Sequence, residues 1–320
     1  MTAASPGGAT GGRRLRSGVT APSPGGARPV AVEVASTAVD ARSPRPVAGC
    51  GAGGRSPLPA PVRSAAVISD ETRLQEVAGW VRGSRAVVVL TGAGISTESG
   101  IPDFRGPQGV WTKDPKAEKL SNIHHYMNDP EVRVASWQAR LVHPAWTAQP
   151  NAAHRALADL ERKGHVDTLV TQNIDGLHQQ AGSLPDRVIE IHGTMREVVC
   201  MACGERAPME RALDRVRGGE ADPPCRSCGG ILKSATISFG QNLVAEDLAR
   251  AEKAARTCDL FLALGTTLTV YPVAYLPEAA LEAGARLVIA NAEPTPYDPR
   301  ADAVFRGNLG DVLPALVALV

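Results

Sequence analysis

The stretch Ala86-Val-Val-Val-Leu90 runs directly into Thr91-Gly92-Ala93-Gly94. An unbroken apolar run rich in β-branched residues reads as a strand buried on both faces, as strands of a parallel sheet are. A Gly-x-Gly turn at the end of such a strand lets backbone N–H groups approach a pyrophosphate. The third glycine of the usual dinucleotide fingerprint would fall at position 97, which is Thr97. The turn by itself therefore leaves nucleotide binding and an ordinary glycine turn both open.

Further apolar runs at 166–171, 188–191, 260–264 and 286–291 read as strands, with helical patterns between them at 152–163, 246–255 and 273–283. This alternation predicts an α/β fold with a doubly wound parallel sheet. Asp70 is placed to cap a first helix that ends near Gly83. Residues 1–66 are rich in Gly, Pro, Ala, Ser and Arg without apolar periodicity, which predicts a disordered tail ahead of a folded domain over 67–320. Two stretches break the rhythm of that domain. Residues 105–150 read as a helical insertion, and residues 197–232 carry paired cysteines.

Those cysteines are Cys200-Met-Ala-Cys203 and Cys225-Arg-Ser-Cys228, two knuckles separated by 21 residues. Four thiolates from two tight turns can close a tetrahedron around one metal ion, and paired knuckles favour metal over a redox pair. Spacing does not separate zinc from mononuclear iron; zinc is the expectation. Cys258 reads as a small buried hydrophobe and Cys50 lies in the tail, so there is no disulfide framework and a reducing compartment fits.

The chain has 320 residues, of which 43% are hydrophobic and only 4% aromatic, so Ala, Val and Leu must fill most of the core. Residues 1–66 hold eight Arg against two acids (+6), and the remainder holds 26 basic against 31 acidic residues (−5), giving +1 overall. That balance argues against nucleic acid as a partner. No apolar run is long enough to span a membrane, and the N-terminus lacks the apolar segment of a signal peptide. With 28 Arg against 6 Lys and abundant Ala and Gly, the composition suggests a GC-rich bacterial genome and a cytoplasmic protein.

Polar residues gather where strands end. Thr171-Gln172-Asn173-Ile174-Asp175, Gly265-Thr266-Thr267 and Asn291-Ala292-Glu293 each follow an apolar run. In open α/β sheets ligands bind beyond such ends. Ile101-Pro102-Asp103-Phe104-Arg105-Gly106 suits a loop folded over a ligand. His192 follows a strand and precedes the knuckles, where a histidine can act as general base. His178 reads as a possible support, His154 as a core or capping group, and His124, His125, His143 and His165 as surface residues.

Taken in order, Gly92 to Gly106, Thr171-Gln-Asn-Ile-Asp-Gly-Leu-His178, Ile191-His-Gly-Thr194, the four cysteines, Ser238-Phe-Gly240, Gly265 to Val270 and Asn291-Ala-Glu293 resemble the sirtuin family over roughly residues 70–320. The resemblance implies an NAD-dependent protein lysine deacetylase or deacylase that transfers the acyl group to ADP-ribose and releases nicotinamide. It implies a Rossmann-type domain and a small zinc-ribbon/helical second domain, with NAD and a structural Zn2+ as cofactors and acylated lysines of proteins as substrates. By the same resemblance, Gly92, Ala93, Gly94, Ile101, Asp103, Phe104, Arg105, Gln172, Asn173 and Asp175 line the NAD pocket. Gly265, Thr266, Thr267, Asn291 and Glu293 hold its adenosine half, with Leu309 beside the adenine. His192 is the base, Asn173 and Asp175 act beside it, and Phe239, Gly240 and Val270 flank the peptide.

Two departures are visible. Gln241 stands where many members have Glu. Trp137-Gln-Ala-Arg140 stands where members that remove acidic acyl groups carry Tyr-x-x-Arg, which implies a preference for acetyl. Gly109 and Trp111 resemble the nuclear branch, some of whose members transfer ADP-ribose. A protein ADP-ribosyltransferase using the same pocket is the alternative; a zinc-ribbon nucleic-acid binder and a Rossmann oxidoreductase are the other classes weighed.

Overall fold

The computed structural model of the chain describes residues 64–103, 109 and 117–320. Phe104, Arg105 and Trp111, and the predicted tail up to residue 63, lie outside them. Among the described residues nine strands follow in chain order: β1 Val87–Thr91, β2 Val166–Thr171, β3 Val188–Glu190, β4 Gly193–Cys200, β5 Arg206–Pro208, β6 Leu232–Thr236, β7 Leu260–Leu264, β8 Arg286–Ala290 and β9 Ala303–Phe305. Six form one sheet in the order β3-β2-β1-β7-β8-β9, with every pair parallel. The chain builds one half outward from β1 and the other outward from β7. The order therefore reverses between these two central strands, and this is the switch point at which open α/β sheets make their crevice.

The central strands are buried throughout because both faces are covered. Val87, Val89, Leu260, Leu262 and Leu264 point into one core with the Ala152–Arg162 and Leu309–Ala318 helices. Val88, Leu90, Phe261 and Ala263 point into the other with the Ala245–Thr257 and Leu276–Glu282 helices. Alternate residues thus serve opposite cores, which is why the strands read as continuous apolar runs. Aliphatic side chains fill most of both cores.

Three differences from the sequence reading concern this domain. The first helix runs Ser64–Gly83, so Asp70 lies inside it rather than at its cap. β9 and the Leu309–Ala318 helix had no expectation attached, the strand because three residues carry too little pattern. Leu309 belongs to the core beneath the sheet, its side chain buried among Leu313 and Phe305.

The small module is an antiparallel sheet, β5-β4-β6, with the Met209–Arg217 helix packed on it. It leaves the large sheet at Gly193 and returns at Thr236, which face each other in register. Gly193 has φ +73, and a Cβ there would lie 2.1 Å from Ala235 O. Only glycine lets entry and exit strands lie this close. The insertion carries the Ile123–Asn128 and Pro130–Leu141 helices. Trp137, fully buried, packs with Val198, Met209 and Leu213 of the small module, and its Nε1 donates to Asp222 Oδ1 at 3.3 Å. Trp137, which stands where members that remove acidic acyl groups carry a tyrosine, is a core residue of this module. Among the described residues no helix is long and apolar enough to cross a membrane.

Candidate active site and metal centre

At the switch point the turns after β1 and β7 touch through backbone alone. Gly92 N donates to Leu264 O (3.1 Å) and Gly94 N to Gly265 O (2.9 Å). A Cβ on Gly92 would stand 2.7 Å from Gly265 O, one on Gly94 2.8 Å from Gly265 Cα, and one on Gly265 2.5 Å from Ile95 N. The sequence left a pyrophosphate and an ordinary glycine turn both open as uses of the Gly92 and Gly94 N–H groups. They are engaged within the chain instead, and these glycines serve the close approach of two turns. The cradle formed by these touching turns lies between the two halves of the sheet.

The remaining strand ends are stitched to this cradle. Gln172 Nε2 donates to Thr266 Oγ1 (2.9 Å), bridging β2 to β7 across β1. Asn173 Nδ2 donates to Gly92 O (3.1 Å) and Ser96 Oγ (3.0 Å), and Ser96 Oγ donates to Asp175 Oδ2 (2.7 Å). The other carboxylate oxygen of Asp175 accepts from Leu177 N (2.9 Å). Asn173 and Asp175 are buried, so each polar atom with a partner avoids a desolvation penalty of about 1–3 kcal/mol. Gly265 N donates to Ala290 O (2.8 Å), and buried Asn291 donates through Nδ2 to Glu293 O (2.8 Å). Thr267 and Glu293 are exposed at the outer rim; Ile101 and Asp103 are half-buried at the mouth.

His192 sits where three segments meet. Its Nδ1 lies 3.0 Å from Gln172 O, and its own carbonyl accepts from Ile237 N (2.8 Å) as the chain leaves the small module. A carbonyl oxygen only accepts, so Nδ1 carries the hydrogen and the lone pair of the neutral ring is at Nε2. Burial lowers the pKa of the ring and the Gln172 carbonyl opposes that, with burial the larger effect. The result is a neutral, oriented base at pH 7.

Beneath this layer lies a pair of histidines that the sequence did not place together. His154 and His178 are buried with ring centroids 5.0 Å apart. His178 Nε2 is 2.9 Å from Thr91 Oγ1, which donates to Thr171 Oγ1 at 2.9 Å. His154 joins Asn151 in a capping box at the start of the Ala152–Arg162 helix, with Nε2 3.5 Å from Ser96 Oγ. Burial pulls His154 down to about 4 and His178 well below its ordinary value. His143, expected at the surface, is half-buried, and its Nδ1 accepts from Ala145 N (3.2 Å). Arg196, which no motif flagged, donates to Asp175 O (2.7 Å) and Ala145 O (3.1 Å), tying the cleft to the helical insertion.

The four knuckle sulfurs all lie within 4.8 Å of one another, with Cys200–Cys228 at 3.5 Å and Cys203–Cys225 at 3.9 Å. A tetrahedron with metal–sulfur bonds of about 2.3 Å has edges of about 3.8 Å, so the set fits zinc with no position open for chemistry. Each knuckle closes on itself: Gly204 N donates to Cys200 O and Gly229 N to Cys225 O, both at 2.9 Å. Both glycines have positive φ (+75 and +73), which their turns require. Phe239 and Gly240 follow β6 and pair with the insertion through Phe239 N to Ser121 O (2.8 Å) and Ile123 N to Phe239 O (3.0 Å). Arg140 sits behind this junction near Tyr126 and Lys233, and burial lowers the pKa of Arg140.

A model of the Sir2 family matches residues 92–272. NAD-dependent protein deacetylase 2 of Streptomyces coelicolor is 53% identical over 235 residues, covering 73% of this chain and 98% of that relative. A solved structure of Sir2 with a deacetylated p53 peptide and 3′-O-acetyl-ADP-ribose is 35% identical with a TM-score of 0.71, covering 77% of this chain and 97% of that one. One of Sir2 with a p53 peptide and NAD+ is 34% identical with a TM-score of 0.69 over the same shares, 77% and 97%.

Proposed function

The chain belongs to the Sir2 family, and from that premise we propose how its own residues carry the reaction. It is an enzyme, an NAD-dependent protein-lysine deacylase acting on acyl-lysine side chains of protein substrates. The observation that carries the proposal is the His192 tether: one ring nitrogen fixed on Gln172 O, the other left as the base.

The glycine cradle and the polar strand ends suit a dinucleotide, with backbone surface at the switch point and amide and hydroxyl groups around it. NAD, when bound, supplies the ADP-ribose acceptor and the nicotinamide leaving group. Gln172, Asn173 and Asp175 would hold its nicotinamide ribose side, and Thr266, Asn291 and Glu293 its adenosine side. Ile101 and Asp103, leading into the 104–108 segment, would close over it and exclude water. Asp175, oriented by Ser96 and Leu177 N, keeps a fixed negative charge near the site where positive charge develops. His192 Nε2 takes the proton from a ribose hydroxyl as the acyl group is transferred. Phe239, Gly240 and Val270 would flank the peptide. The four cysteines hold Zn2+ as a structural ion that fixes the small module. The cysteine usage and arginine-rich composition favour the cytoplasm, and the charge balance favours protein over nucleic acid as the partner.

The deciding assay follows free nicotinamide, deacylated peptide and labelled protein together, with NAD and an acetyl-lysine peptide. Equal release of nicotinamide and free lysine is expected. Labelled protein without free lysine would instead make the chain an ADP-ribosyltransferase, and reduced NAD an oxidoreductase.

A further inference from the structure

The chain has four tyrosines, and they divide sharply. Tyr126 and Tyr297 are buried, and their hydroxyls donate to Leu232 O (2.7 Å) and Ala274 O (2.9 Å). Tyr271 and Tyr275 are 51% and 60% exposed, with ring centroids 4.6 Å apart and planes inclined at 57°. Two large rings left in water side by side are unusual in a protein this poor in aromatics.

Their support is rigid. Val270 O accepts from Ala274 N (2.9 Å), Pro272 O accepts from Tyr275 N (3.0 Å), and buried Tyr297 holds Ala274 O from beneath. Upstream, Leu268 is held at φ +54, a left-handed conformation that a leucine rarely adopts, with its side chain buried. Strain of this kind persists where surrounding structure over-determines it, and it gathers at ligand-contacting loops. Leu268 and Val273 belong to one core, and Leu243, shortly after Phe239-Gly240, packs against that same core. Arg300 is paired with Glu278, and among the described residues no cation lies over either ring. Residues 67–320 carry 26 basic against 31 acidic residues, so a cationic segment is also drawn by the field of the domain.

We propose that Tyr271 and Tyr275 form a subsite for an arginine side chain of the protein substrate, close in sequence to the acyl-lysine. The proposal rests on the deacylase reading, in which Val270 borders the peptide. A guanidinium lying on the open ring faces gains cation–π and stacking contacts without requiring either hydroxyl.

The test uses the full chain, NAD and acetyl-lysine peptides that differ only by Arg, Ala or Glu, scanned one position at a time on both sides of the lysine. At one flanking position kcat/KM for Arg should exceed that for Ala by about threefold to fivefold, carried by KM, with Glu lower still. The Arg/Ala ratio, read within each variant, should fall to about one in Tyr271→Ala/Tyr275→Ala and survive in Tyr271→Phe/Tyr275→Phe. Tyr275→Ser alone, which removes one exposed ring, should halve the ratio even where the double alanine variant folds poorly. Turnover without an Arg preference at any position overturns the subsite and leaves the deacylase reading standing. A preference for an apolar residue, or a ratio unmoved by the alanine variants, overturns the subsite equally. Failure to deacylate any peptide overturns both.

Discussion

The small module takes its four sulfurs from two turns, 200–204 and 225–229, each closed by its own backbone hydrogen bond. The cleft takes its groups from the ends of β1, β2, β7 and β8 and from His192, and none of these is near its neighbours in sequence. The module is therefore held by a local cross-link, with a small core in which Trp137 is the fully buried aromatic and Trp146 packs against it. The cleft is held by a sheet whose two cores would exist without any ligand. The module should depend on its metal for folding, and the cleft should depend on individual side chains for chemistry while tolerating their loss in stability.

Removing one metal ligand tests the first half of this contrast most severely. Binding of structural zinc to such modules contributes about 10–16 kcal/mol, and that free energy is folding free energy. Cys225→Ser should lose bound zinc and the ordered small module while the parallel sheet keeps its circular dichroism. A metal-free variant with full activity and unchanged melting would show that the knuckles do not hold the module.

The second half is tested at His192. His192→Ala should lower deacylation by about 10²–10⁴-fold, with zinc content and unfolding midpoint close to those of the parent. Near-normal turnover would remove this ring from the chemistry. A loss of stability matching the loss of rate would mean its tether to Gln172 O serves packing instead.

Gly193 joins the two regions, so its substitution should injure both. Gly193→Ala combines a left-handed backbone with a collision against Ala235 O, and a cost of about 1–3 kcal/mol or more is expected in urea unfolding. Gly164→Ala is the control, since Gly164 has φ +85 and nothing within 4 Å of the added atom. Equal costs at the two positions would mean the joint has slack and the regions are less coupled than their geometry indicates.

The smallest effect is that of pH. His192, His154 and His178 all have pKa values lowered chiefly by burial. The unfolded chain therefore binds more protons than the folded one below about pH 6.5, and the stability these groups contribute falls as pH drops through that value. Catalysis should be flat around pH 7 and decline on an acid limb below 6.5. An activity limb centred above pH 7 would contradict a neutral His192.

Much of this was legible beforehand. The strands β1, β7 and β8 announce themselves because burial on both faces leaves no polar alternation, and the knuckles because a tetrahedral ion needs ligands at turn spacing. The polar strand ends could be listed for the same reason: a polar residue directly after a fully buried run must face a crevice or water. What the sequence could not supply was partnership. It could not show that the Gly92 and Gly94 N–H groups bond to Leu264 O and Gly265 O, that Trp137 turns into the metal module, or that His154 and His178 lie against each other in the core. Periodicity reports how deeply a residue is buried and turn chemistry reports where the chain bends, since both depend on neighbours a few residues away. Which atom faces which across the switch point depends on pairing between β1 and β7, separated by most of the domain, and only the closed sheet decides it.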